Sequence, residues 1–141
     1  MRGRVTSVLL FLFLLLLSTP AFPQCSWTPR ESAQFRTTAL DVAVEGTLVW
    51  LATSYGLQLL EQDRIAGAIA LPGATRIVRP DGRGFAYVGS GSVIYVVRRD
   101  GNALSIVRSV DAGANVNDIE LVGSYLFAAT ANGILHFDVF D

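Results

Sequence analysis

Short apolar runs separated by turn residues dominate the chain from Leu40 onward. Runs such as 47–53 and 84–89 have the length of strands and are rich in β-branched and aromatic residues, and no stretch shows the apolar spacing of a helix. The pattern therefore predicts an all-β chain. The predicted strands are 40–45, 48–53, 56–61, 64–71, 75–79, 84–90, 92–98, 103–109, 116–122, 124–130 and 133–139.

The chain contains an internal repeat. Residues 41–61 align without a gap on residues 118–138, an offset of 77 positions. Average composition would give about one or two identities over this length. A more divergent copy with a longer first turn, 77–97, lies between them. The repeat unit is thus roughly 38 residues, close to a four-stranded propeller blade. The identical pairs are Asp41/Asp118, Gly46/Gly123, Ala52/Ala129, Thr53/Thr130 and Gly56/Gly133.

Two positions of the repeat, one aromatic and one glycine, allow predictions about the structure. Trp50, Tyr87 and Phe127 occupy one of them, and we expect them to pack between blades rather than to form an aromatic binding surface. Gly56 and Gly133 occupy the other, which indicates a backbone angle that side chains resist.

These motifs resemble those of bacterial extracytoplasmic β-propellers. The segments 48–52 and 56–61, with their copies 126–129 and 133–138, resemble the LVIVD-repeat type, and 80–88 looks more like the YVTN type. The resemblance covers residues 39–141 and implies an N-terminal fragment of a propeller. It implies about 2.7 four-stranded repeats, an incomplete propeller, with units 39–73, 74–113 and 114–141. Because that fold hosts many activities, the resemblance specifies no function.

The first residues have the layout of a secretory signal. Arg2 and Arg4 precede the apolar run 8–17, and small residues follow up to Ala21. We expect a signal peptide at 1–21, a lead-in segment at 22–38, an extracytoplasmic location and no membrane span after cleavage. The alternative is an uncleaved anchor; the run is shorter than the ~20 residues that cross a bilayer, which favours cleavage.

The amino-acid composition limits the partners, cofactors and catalytic groups that the chain can use. All eleven basic residues are arginine, and removing Arg2 and Arg4 leaves nine against twelve acidic residues. This balance indicates no nucleic-acid partner. The chain has no lysine, which excludes Schiff-base chemistry and phosphate binding by a P-loop lysine. The single cysteine, Cys25, makes no internal disulfide. The single histidine, His136, excludes a metal site with several histidines. We therefore predict no cofactor, no metal and no catalytic residue.

Four residues are candidates for ligand contact. Asp41 and Asp118 begin equivalent strands at the inner end of a blade, where propeller ligands approach; capping of a turn is the favoured alternative. The segment 111–118 weakly resembles a calcium loop, but its residues do not fit the EF-hand positions. Asn115 and Asn117 in that segment either contact a ligand or bond local backbone.

The function predicted from the sequence is that of an exported β-propeller segment serving as a binding or scaffolding module. Its partner would be an unknown protein or surface ligand, with self-association through open blade edges. Two alternatives stay open. One is the N-terminal part of a lactonase-like or quinoprotein-like propeller enzyme, and the other is a structural repeat of a surface adhesion protein.

Overall fold

The computed structural model describes residues 38–139, and these residues form strands and turns without a helix. The predicted signal peptide and nearly all of the lead-in segment lie outside the described residues. Residues 38–139 contain eleven strands, which confirms the predicted all-β class. They are β1 (Ala39–Glu45), β2 (Leu48–Thr53), β3 (Gly56–Glu61), β4 (Arg64–Ala70), β5 (Thr75–Pro80), β6 (Phe85–Ser90), β7 (Val93–Asp100), β8 (Ala103–Asp111), β9 (Val116–Val122), β10 (Tyr125–Thr130) and β11 (Gly133–Asp138).

The strands form three antiparallel sheets in which consecutive strands are neighbours. The orders are β1-β2-β3-β4, β5-β6-β7-β8 and β11-β10-β9. We call these sheets blade 1, blade 2 and blade 3. Two four-stranded blades, and a third blade with three described strands, confirm the predicted propeller-like blades.

The predicted strands agree with the observed ones except at their ends. The largest difference is in blade 2, where β7 and β8 extend to Asp100 and Asp111. The end of β7 is prolonged by a tight turn, Gly101–Asn102, which lets Asp100 pair directly with Ala103. The end of β8 is prolonged at the other side of the hairpin, where Asp111 pairs with Val93.

The three blades share one register. The first strand of each blade is bulged at the same place, next to Asp41, Ile77 and Asp118, because in each case one residue is skipped before the pairing resumes. Trp50, Tyr87 and Phe127 lie opposite Leu59, Val96 and His136. The three aromatic residues therefore do occupy one repeat position.

The hydrophobic core lies between blades. One cluster joins blade 1 to blade 2 through residues such as Trp50, Leu57 and Val88. A second joins blade 2 to blade 3 through residues such as Ile94 and Ile119. Blade 2 therefore buries both of its faces, one against blade 1 and the other against blade 3, as a middle unit of a repeat architecture does.

The turn after the second strand is the same in blades 1 and 3. The φ angles of Gly56 and Gly133 are 136° and 127°, which confirms the predicted unusual backbone at this position. The hydroxyl of Thr53 donates to the Gly56 carbonyl at 2.9 Å, and that of Thr130 donates to the Gly133 carbonyl at 2.9 Å.

Candidate functional site

The inner strands of the three blades converge on Arg79. The strand β5 lies between β1 and β9, since it contacts both. Arg79 is near the end of β5 and half-buried. This placement brings a guanidinium group between Asp41 of blade 1 and Asp118 of blade 3, so the two predicted aspartates belong to one cluster.

Asp41 connects blade 1 to blade 2. Its Oδ1 atom accepts the N–H of Val42 in its own strand at 2.9 Å. Its Oδ2 atom accepts the N–H of Val78 at 3.0 Å and a bond from Arg79 Nη1 at 2.7 Å. These contacts join two inner strands rather than close a turn.

Asp118 and Glu120 approach Arg79 from the other side. Asp118 Oδ1 accepts the N–H of Ile119 at 2.9 Å and a bond from Arg79 Nη2 at 3.1 Å. Glu120 Oε2 lies 4.0 Å from Arg79 Nε. Asp118 is the more solvent-exposed aspartate, with a side-chain exposure of 63% against 26% for Asp41.

The contacts of Arg79 join strands of all three blades. The guanidinium group of Arg79 is engaged by carboxylates on both sides and also donates to the Val78 carbonyl at 2.8 Å. Such charge-assisted bonds fix the spacing of three inner strands. In residues 38–139 no group of three His, Cys, Asp or Glu side chains is placed to hold a metal ion.

Asn115 and Asn117 lie at the entry to blade 3. Asn115 is in the loop before β9, and its backbone carbonyl accepts the N–H of Ala131 at 3.2 Å. Asn117 is exposed on β9 itself. The preceding loop is held locally, because Asp111 Oδ1 accepts the N–H of Gly113 at 2.9 Å.

Sequence reasoning did not single out Arg79. The middle repeat has Ile77 where the outer repeats have an aspartate, and Arg79 follows two residues later on the same strand. An arginine on the middle copy, flanked by aspartates on both outer copies, is the signal that could have found the cluster.

The second feature is the face of blade 3 that points away from blade 2. We call it the open face; it carries Tyr125, Phe127, Ile134 and His136. Phe127 is 37% exposed and Ile134 is 76% exposed, whereas the equivalent Trp50 and Leu57 of blade 1 are fully buried. His136 stacks on Phe127 with 6.2 Å between ring centroids. Blade 3 thus presents to solvent the surface that blade 1 buries under blade 2.

Tyr87 lies at the boundary between blades 2 and 3 and has a perturbed phenol. Burial raises the pKa of Tyr87, and the Asp81 carboxylate raises it further, while Arg83 acts in the opposite direction. The phenol is therefore held in its neutral form.

Comparison with solved structures shows the fold. The chain is similar to the crystal structure of BamB from Moraxella catarrhalis, with a TM-score of 0.56 and 18% identity over 76% of this chain and 39% of that chain. The chain thus spans well under half of that structure, and the likeness supports a β-propeller fold. No protein-family model and no curated protein matches the chain, so membership of the LVIVD or YVTN type stays a prediction. Across residues 38–139 there is no helix of the length and hydrophobicity that a membrane crossing requires.

Proposed function

We propose that the chain is an exported β-propeller segment that acts as a binding or scaffolding module for another protein. The observation that carries this proposal is the open face of blade 3. The same repeat positions are buried in blade 1 and exposed in blade 3. A surface already shaped for sheet-on-sheet packing is suited to hold a protein partner.

The apolar side chains of the open face can serve as anchors for a partner. Fully burying an exposed large apolar side chain is favourable by about 1.5–3 kcal/mol, and part of this free energy offsets the entropic cost of association. Phe127, Ile134 and Tyr125 are all exposed on one face, and aromatic side chains are frequent anchors at interfaces. The stacked ring of His136 stiffens Phe127 and lowers the entropic cost of binding.

Export is supported by the order of basic, apolar and small residues in 1–21. The module would then work in the periplasm or outside the cell. N-terminal sequencing of exported material is expected to give a first residue at or near Phe22. Retention of residues 1–21 in a membrane fraction would identify an anchor instead.

The binding function is tested by site-specific photocrosslinking in cells that express the full chain. A photoreactive residue at Ile134 is expected to give one discrete protein adduct. The matched control is Tyr55, which is 82% exposed on a turn of blade 1 and lies away from the open face. Equal adducts from both positions, or none from either, would contradict the proposed function.

A further inference from the structure

The turn between β10 and β11 contains an asparagine in an unusual sequence context. Of the four asparagines in the sequence, Asn132 alone precedes a glycine, Gly133. The other three, Asn102, Asn115 and Asn117, precede residues that have a side chain. All four asparagines are exposed, so access to water does not distinguish them. Asn132 differs in that the backbone nitrogen after it is not shielded by a Cβ atom.

The fold requires a glycine after this turn. The φ angle of Gly133 is 127°, close to the 136° of Gly56 at the same repeat position, and side chains disfavour such angles. The residue before Gly56 is Tyr55, whose phenol cannot react with the backbone of the turn. Blade 3 therefore combines the glycine that the turn needs with an amide side chain beside it.

The side-chain amide of Asn132 is not fixed by the turn. Within residues 38–139 the amide makes no hydrogen bond, and the turn is held instead by the backbone N–H of Asn132, which donates to Thr130 Oγ1 at 3.2 Å. Asp81, which also precedes a glycine, is held differently. Its Oδ1 atom accepts the N–H groups of Arg83 and Phe85 at 2.8 Å and 3.0 Å. The Asn132 amide is therefore free to rotate towards the backbone, whereas the Asp81 carboxylate is not.

We propose that Asn132 is a site of spontaneous deamidation, with water as the co-reactant. The backbone nitrogen of Gly133 attacks Cγ of Asn132, and the new C–N bond closes a succinimide ring. The C–N bond of the side-chain amide breaks, and ammonia leaves with the proton of the Gly133 N–H. Water then opens the ring at one of its two carbonyl carbons. Opening at Cγ gives an aspartate at position 132, and opening at the backbone carbonyl carbon gives an isoaspartate.

Isoaspartate alters the backbone of a closely held turn. Only two residues, Ala131 and Asn132, separate the paired Thr130 and Gly133. The Thr130 hydroxyl donates to the Gly133 carbonyl at 2.9 Å, and the N–H of Ala131 donates to the Asn115 carbonyl at 3.2 Å. Isoaspartate adds a methylene group to the backbone, so a turn of this length cannot keep all of these bonds. We therefore expect the isoaspartate form to have a looser β10–β11 hairpin. The reaction itself needs no partner and does not depend on the proposed binding function.

The reaction is tested by ageing the purified exported chain at mildly alkaline pH. Trypsin cleaves after Arg99 and Arg108, so Asn102 lies in one peptide and the other three asparagines lie in the peptide that follows Arg108. Fragmentation in a mass spectrometer assigns the mass change to single positions. Deamidation at Asn132 is expected to be at least tenfold faster than at each of the other three asparagines, with both aspartate and isoaspartate as products.

Two controls connect the reaction to the folded turn. Asn132→Gln lengthens the side chain, which disfavours ring closure, and this variant should show no mass change at position 132. Ageing in urea gives the rate in the unfolded chain, and the folded chain should convert at a rate within tenfold of it. A rate at Asn132 no higher than at the other asparagines, or conversion in urea alone, would overturn the proposal.

Thermal unfolding of the separated products tests the effect on the hairpin. The isoaspartate form is expected to unfold at a lower temperature than the fresh chain. Freshly prepared Asn132→Asp is the matched control, since it has the new charge without the added methylene group and should unfold like the native chain. If the isoaspartate form and this variant unfold at the same temperature, the added methylene group does not loosen the hairpin, and that part of the proposal is wrong.

Discussion

At the scale of single residues, the contacts of Asp41 explain why the first and third repeats have an aspartate at the same position. In both outer copies the aspartate accepts the N–H of the residue that follows it. In blade 1 the other oxygen also reaches across to Val78 of blade 2. The carboxylate therefore first fixes its own bulged strand and then joins that strand to the next blade.

Replacement of Asp41 by alanine is expected to destabilise the fold more than replacement of Asp118. Val78 is fully buried, and its N–H would lose its acceptor at a cost of about 1–3 kcal/mol. Asp118 is mainly exposed, and Asp118→Ala should cost less than about 1 kcal/mol. Urea unfolding measures both free energies. Equal losses of unfolding free energy in the two variants would show that the hydrogen bond to Val78 does not contribute more to stability than the contacts of Asp118.

The raised pKa of Tyr87 predicts that the free energy of unfolding falls at alkaline pH. Its pKa in the folded chain is raised above 10.0, mainly by burial and then by Asp81. The stabilisation that depends on the neutral phenol is complete below pH 10.0, the usual tyrosine value, and is lost as the pH rises through the higher folded pKa.

The control for that effect is Tyr87→Phe, which cannot ionise. The difference in unfolding free energy between the native chain and this variant should be constant up to about pH 10 and should then shift in favour of the variant. Urea unfolding at several pH values measures it. A constant difference across the alkaline range would contradict the assignment.

At the scale of elements, the strands could be predicted because the residues that define a strand and its turns are neighbours in the sequence. Residues 48–53 and 56–61 were predicted with the bounds that the structure shows. The Arg79 cluster could not be predicted in the same way, because it depends on which strands of different blades become neighbours. The divergence at Ile77 also concealed the repeat position in the middle blade.

The two repeat glycines allow a matched test of the close contact between β3 and β4 in blade 1. Gly56→Ala is expected to combine backbone strain with a collision against β4, and to cost more than about 3 kcal/mol. Gly133→Ala carries the strain alone and should cost about 1–2 kcal/mol, because within residues 38–139 no atom would lie within 4 Å of the added Cβ. Thermal unfolding compares them. Equal costs would indicate that the space beside Gly133 is not open.

At the scale of the whole molecule, blade 2 packs against blade 1 with one face and against blade 3 with the other. The clusters between blades 1 and 2 and between blades 2 and 3 account for the fully buried aromatic and aliphatic side chains. Blade 1 also exposes Val42 and Val44 on its first strand, while blade 3 exposes the open face. The described residues therefore present apolar surface at both ends of the stack.

This surface predicts concentration-dependent self-association of the purified chain. Association through the open face would bury Phe127 and Ile134, and Phe127→Arg should weaken it because the charge would have to be desolvated. Tyr55→Arg is the control, since it changes an even more exposed aromatic residue, on a turn of blade 1, and should have no effect. Size-exclusion chromatography with light scattering measures the mass, and binding of an apolar dye measures the exposed surface. Association is expected to fall, and dye binding with it, in the Phe127 variant alone. A stable monomer that binds no dye would mean that the open face is covered in the free chain, and blade 3 would then have no face available for a partner.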